Sequence, residues 1–321
     1  MLSVTESASA EQPDARAAFL AERATGIGGS DAAAIVGLNP WKSAYRLWLE
    51  KTGQIDADDL RDNAAVTWGT KLEDVVAEHY AEVTGSTVHR VRRTLRHPEH
   101  PFMMAHLDRR IVGDRKGLEV KTAGAFAARS EEWGESGTDE IPANYLCQVQ
   151  HYMAVTGYAA FDLAVLMGGR DFRIYTIARH EQMIASLIAA EADFWRRVAE
   201  NDPPSPRSIE EARDRWPQSK EYQIQAAPEI ERAVSDLRAV KSELKTLAAR
   251  EEALAAQIMV ALGDGDTLMA GARKLATWKS QTAERFDAKA FEAAHSDLYQ
   301  QFKTASSFRV LRLAQQKGDA D

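Results

Sequence analysis

Cysteine is nearly missing from this sequence: Cys147 stands alone among 321 residues. That excludes a disulfide framework, a four-cysteine zinc site and a four-cysteine iron–sulfur cluster. No run of about 18 apolar residues occurs, so no membrane-spanning helix is expected. The stretch from Met1 to Arg16 lacks a basic segment followed by an apolar one. It therefore does not read as a signal peptide, and a cytoplasmic location is expected. Cations are in the minority too: 40 Lys and Arg face 48 Asp and Glu, a formal charge of −8. Sequence-independent coating of DNA needs many cations against phosphate, so a histone-like role is excluded. An enzyme that meets nucleic acid through a local basic groove is not. What is present is ordinary: 45% hydrophobic and 27% charged residues, a globular mixture with material for a sizeable core.

The length suggests roughly two domains. Residues 1–15 are rich in Ser, Ala and Glu and read as a mobile tail. A first module is expected over 16–204, closed by Pro203, Pro204 and Pro206, which cannot continue a helix. A second module is expected over 205–321. In the first, Ser30 and Ser43 are placed to cap short helices, and a further helix is predicted to open at Thr70 and end at Gly85. Strands are predicted over 87–96, 103–112 and 117–122. Then come a helix from Pro142, strands over 161–167 and 172–177 joined by Gly168 and Gly169, and a long amphipathic helix over 181–200. The expected fold is α/β (α+β): one mixed sheet flanked by helices. In the second module a helix is predicted over 228–262. It carries two seven-residue series: Ala233, Val240, Leu247 and Leu254, and Ile230, Leu237 and Leu244. About three heptads suggest a coiled-coil seam. A hairpin around Gly271, a helix capped by Asp287 and a strand over 308–313 complete the module.

The chemistry concentrates in Asp108, ten residues, then Glu119, Val120 and Lys121. Glu119 and Lys121, two apart on a strand, share a face, while Leu118 and Val120 turn inward. Asp108 on the preceding antiparallel strand comes beside Glu119. Two adjacent carboxylates repel unless a cation lies between them, and hard divalent ions such as Mg²⁺ take oxygen ligands of this kind. A nearby lysine can polarise a water or steady charge on a phosphate. The pattern suits metal-assisted phosphodiester hydrolysis, although alternating charges on a strand also describe a solvated face. Three further features bear on it. Glu73 lies on the preceding helix. Gln148 and Tyr152 form an i, i+4 pair on one face of the later helix. Arg23 and Ser30 flank a glycine-rich turn at a helix start, where free N–H groups favour an anion.

Taken together, Gly26-Ile-Gly-Gly-Ser-Asp-Ala-Ala-Ala-Ile-Val-Gly37, Asn39-Pro-Trp41, Trp48-Leu-Glu-Lys-Thr-Gly53, Trp68-Gly-Thr-Lys-Leu-Glu73, Leu118-Glu-Val-Lys-Thr122 and Gln148-Val-Gln-His-Tyr-Met153 strongly resemble the YqaJ-like viral recombinase nucleases. These are relatives of phage lambda exonuclease in the PD-(D/E)XK superfamily. The resemblance runs from about Arg23 to Pro204. It implies that Glu73, Asp108, Glu119 and the Val120 carbonyl hold Mg²⁺, with Mn²⁺ a substitute. It further implies that Lys121 orients or activates water, that Gln148 supports the site with Tyr152 beside it, and that Arg23 and Ser30 receive a 5′-terminal phosphate. Leu107 occupies the place of the namesake proline, as is frequent in this family. The resemblance also implies duplex DNA ends as substrate, 5′-to-3′ polarity and an annealing partner of the Redβ or RecT type. A homo-oligomer, possible as a trimer, follows from the same source.

Charge fits this reading. From Arg90 to Lys121 nine basic residues face four acidic ones, a local +5 in a chain of −8. Two other functions share these residues: a restriction- or repair-type endonuclease with no need for an end, and a non-catalytic scaffold that binds DNA ends. Cys147 reads as a small buried residue rather than a nucleophile. His97, His100 and His106 lack a fourth ligand for zinc. Trp278 beside Lys279 reads as packing rather than a base platform.

Overall fold

The computed structural model describes residues 12–57, 63–127, 130, 132–304 and 308–314. The part of the expected tail before Gln12 lies outside them. Two compact units divide between Ala212 and Arg213.

The first unit begins with α1 (Gln12–Ala24), α2 (Gly29–Ile35), α3 (Ala44–Lys51) and α4 (Ala64–Thr84). The Ser43 hydroxyl accepts the Arg46 N–H, so the cap expected for α3 is made. The helix expected from Thr70 starts six residues earlier, at Ala64, because the Asn63 side chain accepts the N–H groups of Ala65 and Val66. Trp68 and Gly69, which precede the expected start, are inside it. Gly85 closes it with φ of +68°.

Strands β1 (Val88–Arg90), β2 (Leu95–Arg96), β3 (Met104–Ala105), β4 (Arg109–Ile111) and β5 (Lys116–Ala123) follow. The two long strands expected over 87–96 and 103–112 are each broken in two. The halves go to different sheets: β2 pairs with β3 as a two-stranded ribbon, while β1 and β4 join the main sheet. At the second break, Asp108 replaces ladder with side chain. The Val120 N–H donates to Asp108 Oδ2 at 2.8 Å, just past the last paired residues Arg109 and Leu118. Next come α5 (Ala143–Thr156), β6 (Ala160–Met167), β7 (Asp171–Ala178) and α6 (Glu181–Glu200). The main sheet has the order β1-β4-β5-β6-β7, with β5 and β6 parallel and the other pairs antiparallel. It is thus the mixed sheet that the sequence led us to expect. The hairpin between β6 and β7 turns through Gly168 and Gly169, both at positive φ.

The core lies on both faces of β5. Leu118 and Val120 pack with Val76, Ala77 and Tyr80 of α4. On the other side Val149, Tyr152 and Met153 of α5 join Phe161, Leu163 and Val165. Gly117 permits this second layer to close: a Cβ there would lie 2.3 Å from the Phe161 ring.

Helix α7 (Ile209–Arg215) spans the division between the units. The second unit holds α8 (Pro228–Leu262), the hairpin β8 (Thr267–Ala270) and β9 (Arg273–Thr277), α9 (Ala288–Ala294) and α10 (Ser296–Phe302). Asp287 caps α9 through the Ala290 N–H. No strand forms over 308–313. Phe308, Val310 and Leu311 are exposed there, and alternation without a partner strand does not make a sheet.

Candidate active site

The centre of β5 carries the site. Pleating sends Glu119 and Lys121 to the α5 face and Leu118 and Val120 to the α4 face. Glu119 is only 2% exposed. Its Oε1 accepts from Lys121 Nζ at 2.6 Å and from Gln148 Nε2 at 2.6 Å. Its Oε2 is equally buried and has no hydrogen-bond partner. An ionised oxygen left in that state is costly unless something positive reaches it.

Asp108 supplies the second carboxylate. Burial and the neighbouring Glu119 push its pKa up to about 8, against the pull of Lys121 and the Val120 N–H. Burial alone would lower the Lys121 pKa, but Glu119 and Asp108 together raise it above the usual lysine value. The ammonium also lies 5.3 Å from the centre of the Tyr145 ring. One lysine thus faces two carboxylates, and the site is short of positive charge. The orphaned Oε2 and the raised Asp108 both fit a divalent cation bound by oxygen.

Glu73 is placed differently. Its Oε1 accepts from Arg109 at 2.6 Å and from Arg90 at 2.9 Å. Arg109 is buried, and it also pairs with Asp74 and donates to the Asp108 carbonyl at 2.6 Å. Among the described residues no three His, Cys, Asp or Glu side chains form a cluster that could hold a metal. The structure therefore joins Asp108 to Glu119 through β5 and tethers Glu73 to arginine. Arg109 was missed in the sequence, where it counted only as one cation in a basic stretch.

Gln148 links this centre to the glycine-rich turn. Its Nε2 also donates to the Tyr152 hydroxyl at 3.0 Å. Burial, then Glu119 and Asp108, hold the Tyr152 pKa well above the usual phenol value, so it stays neutral. Gly29 packs on this pair: a Cβ there would lie 2.5 Å from Tyr152 Cε1 and 3.0 Å from Gln148 Cγ. Next in the chain is Ser30, whose hydroxyl accepts from Arg23 at 3.3 Å. The two expected anion-pocket residues do meet. Sequence reading missed the acid that shares Arg23 with Ser30. Asp31 is buried, 3.1 Å from Arg23 and 2.9 Å from Lys51, and it accepts the Gly28 N–H. Burial would raise its pKa, but Lys51 and Arg23 outweigh that and hold it below the usual carboxylate value.

Cys147, His97 and His106 have structural surroundings, whereas Trp278, expected to be packed, is 50% exposed. Burial, with Glu191 nearby, pushes the Cys147 thiol up to about 11. His97 Nδ1 accepts the N–H groups of Glu99 and His100, a turn contact. His106 contacts the Thr94 hydroxyl.

The YqaJ-like viral recombinase domain matches residues 18–159, a span that holds Arg23, Glu73, Asp108, Glu119, Lys121 and Gln148. Protein YqaJ of Bacillus subtilis (strain 168) is 34% identical over 299 residues, covering 91% of this chain and 92% of that one. The chain belongs to the YqaJ family. Within this YqaJ-type chain the match to the Bacillus protein extends well past the domain and into the second unit. Among solved structures, the alkaline exonuclease of Laribacter hongkongensis is 18% identical with a TM-score of 0.47, covering 58% of this chain and 94% of its own. A phage-related exonuclease from Haemophilus somnus 129PT is 14% identical with a TM-score of 0.40, covering 55% and 96%.

Proposed function

We propose that this protein is a divalent-metal-dependent exonuclease that degrades linear duplex DNA from its ends. That it is a nuclease, a hydrolase acting on DNA, goes with membership of the YqaJ family. The finer reading is that it cuts 5′ to 3′ and leaves a 3′ single strand for recombination. The observation that carries metal-dependent hydrolysis is the orphaned Glu119 oxygen near the Asp108 carboxylate, beside a cationic Lys121, while the polarity rests on the family resemblance alone.

Asp108 and Glu119 would hold the ion, Mg²⁺ in the first instance and Mn²⁺ as substitute, with the Val120 carbonyl a further ligand. Glu73 would join them if it exchanged its arginine partners for the ion. When bound, such an ion supplies Lewis-acid stabilisation of charge on the phosphate oxygens. The chain's own groups do the rest. Lys121 is anchored by Glu119 and positions its N–H donors where an attacking water and a phosphate oxygen meet. Gln148 fixes the Glu119 oxygen that faces Lys121. Neutral Tyr152 braces Gln148. Arg23 and Ser30 receive the 5′-terminal phosphate, and Asp31 and Lys51 set the orientation of Arg23.

An annealing protein of the Redβ or RecT type is the expected recipient of the 3′ strand. A homo-oligomer, with a trimer as its simplest ring, fits the heptad series of α8, whose Val240, Leu244, Leu247 and Leu254 are exposed. Action in the cytoplasm fits the lack, among the described residues, of any helix long and apolar enough to cross a membrane.

Comparison of linear and covalently closed circular duplex tests the reading. Rapid loss of the linear form with the circle intact is expected. Equal attack on both would make the protein an endonuclease, and loss of neither with Mg²⁺ present would leave only an end-binding scaffold.

A further inference from the structure

A groove is lined by five arginines among eleven residues. One cavity of about 420 Å³ is lined by Arg90, Val91, Arg92, Arg93, Leu95, Arg110 and Tyr158. A second, of about 480 Å³, is lined by residues 93–96, Val155, Thr156 and Tyr158. They share Arg93, Leu95 and Tyr158, so they form one continuous track. No carboxylate lines either cavity, although the whole chain carries −8. Arg90 is already paired with Glu73 and Asp74. Arg92, Arg93 and Arg110 are exposed, and none of them has a carboxylate partner among the described residues.

One wall of the track shares a sheet face with the cleavage centre. Arg110 pairs across β4 and β5 with Gly117, and cross-strand partners share a face. Glu119 and Lys121 are two and four residues further along that face of β5. The Phe161 ring covers Gly117 and lies 6.1 Å from the ring of Tyr158, which fixes the tyrosine as a wall of the track.

Each cavity, about 420 and 480 Å³, is about the size of one nucleotide. Arginines that follow a backbone, with an aromatic ring among them, form the usual surface for single-stranded nucleic acid. We propose that Arg92, Arg93, Arg110 and Tyr158 form a binding track for single-stranded DNA, separate from the 5′-phosphate pocket and continuous with the sheet face that bears Glu119. It rests on the nuclease reading only for its purpose: it would hold a strand already parted from the duplex at the cleavage centre.

Binding without cleavage tests it. The full chain is titrated with a fluorescent single-stranded oligodeoxynucleotide in the presence of chelator, across a series of salt concentrations. Removing one arginine that neutralises a phosphate should reduce the slope of log affinity against log salt by about 0.7. The double variant Arg92→Gln with Arg93→Gln should therefore reduce it by about 1.4. Both arginines are exposed, so the core is untouched. Tyr158→Leu should weaken binding roughly tenfold with little change of slope, as loss of one stacked base predicts. Blunt duplex should bind with the same slope to wild type and double variant. An unchanged single-strand slope overturns the track, as does an equal loss for blunt duplex. Failure of the nuclease reading looks different: wild type would bind the single strand with the full slope yet leave linear duplex uncut when Mg²⁺ is added.

Discussion

Lys121 Nζ lies 2.6 Å from Glu119 Oε1, on the side of the carboxylate that Gln148 also holds, and the other oxygen, Oε2, is buried with no partner. With Asp108 beside it, the pair is electrostatically incomplete. Filling it should stabilise the fold. At about 100 times the dissociation constant, a bound ion adds about 2.7 kcal/mol. Mg²⁺ should thus raise the melting temperature of the wild type by several degrees, and should not raise that of Asp108→Asn or Glu119→Gln. Both variants should lose cleavage and keep DNA binding. Thermal melts with and without Mg²⁺ check the first claim; persistence of the shift in either variant would place the ion elsewhere.

Gly29 is the contact between the glycine-rich turn and the catalytic helix. A methyl group there meets the Tyr152 ring at 2.5 Å, and the ring is buried and cannot swing away freely. Gly29→Ala should cost about 1–3 kcal/mol in stability, as overpacking does. Cleavage should fall by more than the folded fraction does, since Gln148 moves with Tyr152. Urea denaturation together with a single-turnover rate measures both.

The Asp31 carboxylate should make the protein acid-sensitive. Its folded pKa lies below the ordinary value, so its stabilisation is present above the unfolded pKa and fades as pH falls through the folded one. Asp31→Asn leaves the buried Lys51 ammonium without its partner and should cost about 3–5 kcal/mol at neutral pH. That difference should shrink steadily below about pH 4. Denaturation of both proteins across this range decides it.

His151 has the opposite sign. Its Nδ1 lies 2.9 Å from Glu191 Oε1 and its Nε2 lies 2.9 Å from the Met104 carbonyl. With Glu191 ionised, both ring nitrogens face acceptors and both carry protons. Burial alone would lower its pKa, but Glu191 raises it above the usual histidine value. The pair's stabilisation is complete below about pH 6.5 and is lost as pH rises through the raised folded value. Its NMR signals should be mainly those of an imidazolium at about pH 6.5, and a mainly neutral ring there would refute the assignment.

Much of this was legible in the sequence because it depends on local pattern. The alternation around Leu118 and Val120, the Gly168-Gly169 turn, and the spacing of Gln148 from Tyr152 each specify an element by themselves. The breaks in the strands were not legible. Whether Leu95 pairs with Ala105 or extends β1 depends on partners far along the chain. Arg109 was hidden for the same reason: next to Arg110 it looks like surface charge, and only the register of β4 turns it inward onto Glu73 and Asp74. Asp31 looked like part of a capped helix start, because Lys51, which neutralises it, is 20 residues away. The strand expected over 308–313 failed because a pattern of alternation specifies a face and not a partner.

The most direct test of the central claim is digestion of linear duplex DNA labelled at one end, with and without Mg²⁺. With the label on the 5′ terminus, label should be released early as mononucleotide, only when Mg²⁺ is present, and Lys121→Ala should abolish release. With the label at the 3′ terminus, the labelled strand should persist as single strand. Early release of the 3′ label, or release that survives chelation of the metal, would contradict the account.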